Sequence, residues 1–532
     1  MKKYIKIAAA ALVLGLGSCD SDFTDVNTDP DKASEEIFDP NLILPDAIYK
    51  YANSTVGYRG PVLFQSMWVQ LMASTSTVAN YYSNADKYVP TGSTNDYAGR
   101  IWEDNYRVAS EVAEMSRLSD LKGFENLSKI GVIVKVMSFA YMSDIYGDIP
   151  FSEALQLQSG ISRPIYDKQE DVYPQLLIDL DTAISGLDDS GDKPTSDIIY
   201  EGDIAKWKKF GYSLMLKMAM RLVEVDETLA QTYIEKAAAG GVFASADDEA
   251  VIATDNSTGF NNGNAAALGT AADLYEVRWS DVMIDFLKST DDPRLSIIAE
   301  VPQAGLAANQ TFGLAGNSAP ANQLGLPNGF DINGGATDIS TTTNYPGPTG
   351  TGDDTAVIGA YSRPTGMYRN LNAPIFILTY AETQLLLAEA AVRGYNVSGT
   401  ASSYYANALT GALTTIGKFG GGTIAPGVIT TYATDNPLDL SSEEASLEMI
   451  NTQYWATTGL LGNFVESWSN WRRSNYPVLQ PVNYVGNFSQ GMIPVRQIYP
   501  SSESTNNPEN YNTAASGMGG DTWTVKVWWD VN

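Results

Sequence analysis

The chain has 532 residues, a formal net charge of −29, one cysteine and no histidine. Without histidine there is no Ser-His-Asp or Cys-His catalysis and almost no zinc or iron site, and a lone cysteine forms no internal disulfide. The acidic balance argues against nucleic-acid binding, whereas the 44% of apolar residues suffices for a large core.

The N-terminus has the three parts of a secretory signal. Lysines precede an apolar run over residues 7–17, and small residues follow that run. The run has about 11 residues, whereas a membrane-spanning helix needs roughly 20. We therefore predict a signal peptide over residues 1–18 and a single mature domain over 19–532 that spans no membrane.

The end of this signal predicts a lipid anchor. Leu16-Gly17-Ser18-Cys19 matches the bacterial lipobox, in which the cysteine carries the acyl chains. The alternative is an ordinary signal peptide with a chance cysteine. Three aspartates follow within six residues, and in the Bacteroidota such a stretch resembles the signal for export to the cell surface. In other lineages an Asp directly after the cysteine favours the inner membrane. We expect a protein of the outer membrane that faces the exterior and is held through its lipid alone.

Helical periodicity marks several segments of the mature chain. The clearest runs from Leu127 to Ile145, and Gly147 should end it. Ser441 with Glu444 three residues on predicts a capping box for a later helix. The predicted long helices are 127–145, 203–225, 375–392 and 441–471, and shorter candidates are 100–119, 170–187 and 228–239.

Irregular sequence rich in Gly, Ala, Asn, Thr and Pro separates these helices. Residues 302–366 are far longer than an ordinary connection, which suggests a functional surface. We also predict loops over 252–272, 418–440 and 500–520. Helices in consecutive pairs predict a mainly α fold of tetratricopeptide-like pairs with little strand, although no clean 34-residue repeat is present.

Several different short motifs lie along the chain in a fixed order. They are Ile145–Leu155 (IYGDIPFSEAL), Gly202–Arg221, Asp292-Pro293-Arg294, Leu378–Ala391, Trp468 with Arg472-Arg473 and Tyr476-Pro477, Pro494–Arg496, and Trp528-Trp529-Asp530. Together they resemble the SusD/RagB family of Bacteroidota surface lipoproteins over essentially the whole mature chain. One departure is Gly211-Tyr212-Ser213, where the family usually has an Ala-Asn-Ser type of tripeptide. The three arginines Arg472, Arg473 and Arg496 are predicted to pair with carboxylates between helices.

The resemblance implies a non-catalytic, cofactor-free lid on a SusC-like TonB-dependent outer-membrane transporter. Such a lid captures oligosaccharides most often and peptides in some members, and its helical scaffold carries the ligand face on long irregular loops. The sequence does not separate the glycan and peptide alternatives. Two other classes remain open: a surface glycoside hydrolase that uses a carboxylate pair, and a purely structural surface protein.

Loop-borne aromatic residues are the candidate ligand contacts, because sugar rings stack their C–H faces on aromatic rings. Trp279 is the first choice, since Tyr275 and Trp279 lie about one turn apart after a flexible loop. The predicted ligand contacts are Trp279, Tyr275, Tyr81, Tyr82, Tyr97 and Tyr361, with Tyr345 as a rival platform.

Three other positions receive a structural interpretation. Trp207 lies in a helix stripe and Trp102 at a helix start, so both are predicted to pack in the core. The acidic run Asp247-Asp248-Glu249 makes a calcium ion conceivable, but no EF-hand pattern is present and a solvated acidic turn is favoured. No catalytic residue and no metal ligand are predicted.

Overall fold

Helices make up most of the chain that the structure describes. The structure is a computed structural model and describes residues 35–75, 82–90, 94–270, 277–302, 315–347, 359–489 and 491–532. The signal peptide, Cys19, Tyr81 and Tyr275 lie outside the described residues. Within them, no helix is both long enough and apolar enough to cross a membrane.

The described helices fall into long scaffold helices and short connecting ones. In chain order they are α1 Leu44–Thr55, α2 Gln65–Trp68, α3 Tyr82–Asp86, α4 Thr94–Ala98, α5 Arg100–Lys122, α6 Glu125–Tyr146, α7 Gln169–Ser185, α8 Ile204–Met220, α9 Glu227–Gly240, α10 Gly263–Leu268, α11 Asp281–Ser289, α12 Leu295–Ile298, α13 Tyr380–Val392, α14 Ala401–Lys418, α15 Pro426–Asp435, α16 Glu443–Leu460, α17 Phe464–Ser474, α18 Glu503–Asn506 and α19 Pro508–Gly517. A π-helical turn covers Tyr58–Val62.

The long helices pack in consecutive pairs, as predicted. The pairs are α5 with α6, α8 with α9, α13 with α14, and α16 with α17. Gly147 ends α6 with a φ of 83°, which a residue with a side chain rarely adopts. The mainly helical, tetratricopeptide-like fold is confirmed, and Trp207 and Trp102 are buried in its core.

Short strands link the helices at three places. They are β1 Met72–Ala73, β2 Ala250–Ile252, β3 Arg278–Trp279, β4 Ala299–Glu300, β5 Arg363–Pro364 and β6 Ile375–Leu378. They form three antiparallel pairs, β1–β3, β2–β6 and β4–β5. The amide of Trp279 also donates to the carbonyl of Ser362, at 2.9 Å, which brings β3 beside β5. These strands anchor the irregular segments to the helical scaffold.

The predicted helix over 375–392 is wrong in its first turn. Residues Ile375–Leu378 form β6, in which Phe376 lies opposite Val251 of β2. The helix begins after Thr379. The Thr379 hydroxyl accepts from the amide of Glu382, and the Glu382 carboxylate accepts from the amide of Thr379, which together form a capping box. An all-apolar run of four residues has no period of its own, so neighbouring sequence does not distinguish strand from helix there.

Other predicted boundaries also change. The segment 441–471 is two helices, α16 and α17, because the chain turns at Gly462, where φ is 81°. The cap of α16 is Ser442, whose hydroxyl accepts from the Ala445 amide, and not Ser441. The predicted loops 252–272, 418–440 and 500–520 contain α10, α15 and α18–α19. Two of these helices, α15 and α19, begin at a proline, which fits the first helical position.

Two of the three C-terminal arginines pair with carboxylates as predicted. Arg473 bonds Glu389, and Arg496 bonds Asp521. Arg472 is an exception, because its guanidinium stacks on Trp468 at 3.6 Å and donates to the carbonyls of Val495 and Asp144. Burial lowers the pKa of Arg472 to about 9.

Candidate functional site

A cleft opens between two irregular segments, 327–337 and 478–483, beside the first turn of α11. We call it the loop cleft; its volume is about 490 Å³. Its polar lining is Gln70, Asp281, Asn328, Thr337, Gln480 and Asn483, and its apolar lining includes Val282, Pro327, Phe330, Val478, Pro481 and Val482. Amide and carboxyl groups that alternate with apolar surface can bind a ligand that itself has polar edges and apolar faces.

A buried carboxylate fixes the floor of the loop cleft. Asp86, at the end of α3, accepts a hydrogen bond from the amide of Gly329 at 2.6 Å and another from the side-chain amide of Asn328. Burial raises the pKa of Asp86 to about 6, although the Lys87 ammonium and these donors oppose the rise. The segment from 327 is thereby tied to α3.

The close approach of the two walls requires glycine at position 329. Gly329 has a φ of 86°, and a Cβ there would lie 2.5 Å from Cγ1 of Val482. Only glycine both adopts this positive φ readily and leaves room for the Val482 side chain. Gly329 therefore sets the width of the cleft at its base.

A second polar cluster holds the rim. Asp331 accepts from the hydroxyls of Tyr484 at 2.5 Å and Thr337 at 3.0 Å. Burial pushes the pKa of Asp331 upward, but these hydrogen bonds outweigh burial and hold the pKa below its ordinary value. The Lys87 ammonium lies 5.6 Å from the centre of the Tyr484 ring. These contacts join the 327–337 wall to the 478–484 wall.

The groups that face the cleft are mostly neutral. Gln480 and Asn483 are exposed, and Val478 is 67% exposed. Asp281 is the carboxylate of the lining, and burial together with the charge of Asp285 raises its pKa. Amides both donate and accept, so such a surface suits hydroxyl and acetamido groups better than it suits ions.

The aromatic residues predicted to contact the ligand lie elsewhere. Trp279 is fully buried in β3, where its indole N–H donates to the Ile298 carbonyl at 2.9 Å and its ring meets the Tyr368 ring edge-on at 5.4 Å. The prediction of Trp279 as a stacking platform is therefore wrong for this structure. The prediction assumed a loop-borne ring, whereas pairing of β3 with β1 places this ring in the core.

The other predicted aromatics divide into three groups. Tyr82 is fully buried, and Tyr361 is 2% exposed in a small core with Ala73, Leu326 and Ile339, so neither presents a ring face to a ligand. Tyr97 is half-buried against the main core. Tyr81 and Tyr275 lie outside the described residues.

The acidic run Asp247-Asp248-Glu249 is also more structured than predicted. Asp248 and Glu249 are buried and ion-paired, with Lys209 at 2.8 Å and Lys418 at 2.9 Å respectively. Only Asp247 is solvated. The run is a packing element between helices and not a free acidic turn.

Sequence reasoning missed the residues of the loop cleft. Gln480, Asn483 and Asn328 lie in irregular sequence, where neither periodicity nor residue type distinguishes a binding amide from a solvated one. The segment 302–366, which was predicted to form a functional surface, contributes one wall of the cleft, since Asn328 and Phe330 belong to it.

Comparison with known proteins gives a consistent result. The family model SusD-like_2, described as "Starch-binding associating with outer membrane", matches residues 31–500. A solved structure titled "chitin-binding protein" is 29% identical with a TM-score of 0.77, covering 93% of this chain and 100% of that one. A chitin-binding SusD homologue from Flavobacterium johnsoniae is 23% identical with a TM-score of 0.72, covering 92% and 98% of the two chains.

A third structure, a Bacteroidetes SusD-like protein, is 23% identical with a TM-score of 0.77 and covers 93% of this chain and 100% of its own. No curated protein matches the chain significantly.

Proposed function

Because the chain belongs to the SusD-like family of outer-membrane-associated proteins, we propose that it captures oligosaccharides at the cell surface through the loop cleft. The chain is a binding protein and not an enzyme. The observation that supports a glycan is the lining of the cleft, where exposed amides alternate with proline, valine and phenylalanine side chains. Sugar hydroxyls bond amides, and the C–H faces of sugar rings pack on apolar groups.

Chitin oligosaccharides are the first candidate ligand. The relative with 29% identity is named a chitin-binding protein, and chitin carries acetamido groups that both donate and accept hydrogen bonds. The side-chain amides of Gln480 and Asn483 match that chemistry. The neutral lining also suits this uncharged polymer better than a charged peptide.

Titration calorimetry with chitohexaose, maltohexaose and a mixed hexapeptide pool tests this proposal. A net hydrogen bond is worth about 1 kcal/mol, so the double variant Gln480→Ala/Asn483→Ala should weaken chitohexaose binding by roughly tenfold or more. The matched control is Gln231→Ala/Asn396→Ala, which removes two exposed side-chain amides outside the cleft. If the two double variants bound chitohexaose with equal affinity, Gln480 and Asn483 would not contact the ligand, and binding in the loop cleft would be contradicted.

The same panel decides between the ligand classes. Binding of the peptide pool with no binding of either hexasaccharide would favour the alternative that the protein captures peptides. Accumulation of shorter sugars during incubation would contradict the assignment as a binding protein.

We further propose that the protein delivers its ligand to a SusC-like TonB-dependent transporter, to which it acts as the lid, while Cys19 holds it on the outer membrane by acyl chains. The support is family membership and the lipobox. Co-purification of a barrel-sized membrane protein with the tagged full-length chain in detergent, which dissolves the bilayer that would otherwise hold the two together, would establish a protein contact separate from the lipid. Recovery of the chain alone would oppose it.

A further inference from the structure

A second cleft lies on a different part of the scaffold. It has a volume of about 340 Å³ and is formed by the end of α1, the start of α5 and the turn that leads into α10. We call it the flank cleft. The polar side chains that line it are Asn53, Ser54, Arg100, Asp104 and Asn261. None of these residues lines the loop cleft.

One polar atom at this cleft has no hydrogen-bond partner among the described residues. Oδ1 of Asn53 is buried and accepts no hydrogen bond. Asp104 is half-buried, and burial raises the pKa of its carboxyl group although the charges of Arg100 and Arg107 oppose the rise. An enclosed polar atom is normally bonded, so an unbonded one at a cleft indicates a place where a ligand or water supplies the partner.

An exposed aromatic residue directly precedes one lining residue of this cleft in the chain. Phe260 precedes the lining residue Asn261, and its side chain is 43% exposed. Its ring packs edge-on against Tyr49, with 4.8 Å between the ring centres. A large apolar side chain left in solvent near polar side chains forms an amphipathic surface.

The backbone around Phe260 is held firmly. Phe260 and Asp255 exchange two backbone hydrogen bonds, of 2.7 and 3.1 Å, across a short turn. The hydroxyl of Tyr49 donates to the Asn261 carbonyl at 2.7 Å. A ring in a fixed position gives a ligand a surface to stack on without the entropic cost of ordering a loop.

We propose that the flank cleft is a second subsite for a neutral saccharide, which stacks a ring face on Phe260 and bonds its hydroxyls to Asn53 and Asp104. A single carboxylate and a single arginine line the cleft, so it has neither the ligand set of a metal ion nor the charge for an anion. The inference takes its class of ligand, a saccharide, from the proposed function, but it does not depend on the loop cleft. Two subsites would hold an oligosaccharide of sufficient length at separate points, or two chains at once.

The test uses saturation-transfer NMR and calorimetry with chitotriose, maltotriose and cellotriose on the purified protein. The variant Phe260→Ala removes the stacking surface without opening the core, and Leu440→Ala, which removes another exposed apolar side chain, is its control. In a background of Gln480→Ala/Asn483→Ala, a weaker binding event should remain. Phe260→Ala should then reduce that event about tenfold, while Leu440→Ala leaves it unchanged.

The outcomes separate this inference from the proposed function. Loss of all binding in the Gln480→Ala/Asn483→Ala protein, or residual binding that survives both Phe260→Ala and Asn53→Ala, overturns the second subsite and leaves the loop cleft intact. Binding that responds only to Phe260→Ala supports the flank cleft and overturns the loop cleft. A wild-type protein that binds none of the three sugars overturns both.

Discussion

Arg473 of α17 and Glu389 of α13 form a two-bond ion pair in the centre of the scaffold. The two N–O distances are both 2.6 Å, and the side chains are 0% and 1% exposed. Arg473 also donates to the side-chain carbonyls of Asn451 and Asn470. The pair therefore ties α13, α16 and α17 together around one guanidinium.

Loss of the carboxylate charge should destabilise the fold strongly. Glu389→Gln leaves Arg473 buried without its counter-charge, and breaking a buried pair from one side typically costs about 3–5 kcal/mol. Urea unfolding followed by circular dichroism measures the loss. The control Glu114→Gln acts on the exposed pair with Arg117 and should change the free energy of unfolding little. A loss below about 1 kcal/mol in Glu389→Gln would contradict the expectation that an uncompensated Arg473 is costly in this core.

Acid should weaken the protein through the same residue. Burial alone would raise the pKa of Glu389, but the charges of Arg473 and Arg393 outweigh it and lower the pKa to about 2. A carboxyl group with a lowered pKa stabilises the folded state above its unfolded pKa near 4.5. That contribution is lost as the pH falls toward 2. The free energy of unfolding should therefore fall steeply between pH 4.5 and 2, and less steeply in Glu389→Gln.

A second buried carboxyl group should act in the opposite direction. Burial raises the pKa of Glu382 to about 7, despite the nearby Lys217. A raised pKa stabilises the fold below the unfolded value of 4.5, and that stability, about 3 kcal/mol at most, is lost as the pH rises through 7. In Glu382→Gln the decline between pH 5 and 8 should be smaller. Glu443→Gln, at an exposed position in the first turn of α16, should follow the wild-type curve.

Trp279 should behave as a core residue. Truncation to alanine removes a fully buried indole and its bond to the Ile298 carbonyl, and such a change typically costs about 3–5 kcal/mol. Trp207→Ala should cost a similar amount, because its ring is equally buried. A Trp279→Ala protein with an unchanged melting temperature and tenfold weaker sugar binding would instead show that the Trp279 ring contacts the ligand.

The base of the loop cleft offers a matched pair of glycine variants. Gly335→Ala introduces only the strain of a φ of 87°, worth about 1–2 kcal/mol, because no atom lies near the added Cβ. Gly329→Ala adds a clash with Val482 to the same strain. We expect Gly329→Ala alone to weaken chitohexaose binding, which calorimetry on both variants checks. Similar binding in both would show that the base of the cleft is not in contact with the ligand.

Membrane attachment should depend on one side chain. Cys19→Ala removes the only thiol available for acylation, so the chain should remain as unprocessed precursor or leave the membrane fraction. Fractionation in cells that lack the proposed partner transporter provides the measurement. An undiminished outer-membrane share of the Cys19→Ala protein would contradict the lipid anchor.

The sequence alone determined the family and the helical scaffold. A motif such as Tyr146-Gly147-Asp148 acts over a few residues, and 3.6-residue periodicity reports directly on a buried helix face. The chain neighbours of each such motif therefore contain the information needed to predict it. The burial of Trp207 and the ion pair of Arg473 could be predicted in the same way. An apolar stripe on a helix is normally buried, and an arginine in an acidic chain normally pairs with a carboxylate.

Only the tertiary structure decided which loop residues face a ligand. Trp279 and Phe260 are both aromatic residues in irregular surroundings, yet pairing with Met72 places Trp279 in the core, whereas the turn at Asp255 leaves Phe260 in solvent. The loop cleft joins Asn328 to Gln480 across about 150 residues of sequence. Whether a side chain in such a segment packs or binds depends on contacts far along the chain, and no local pattern encodes them.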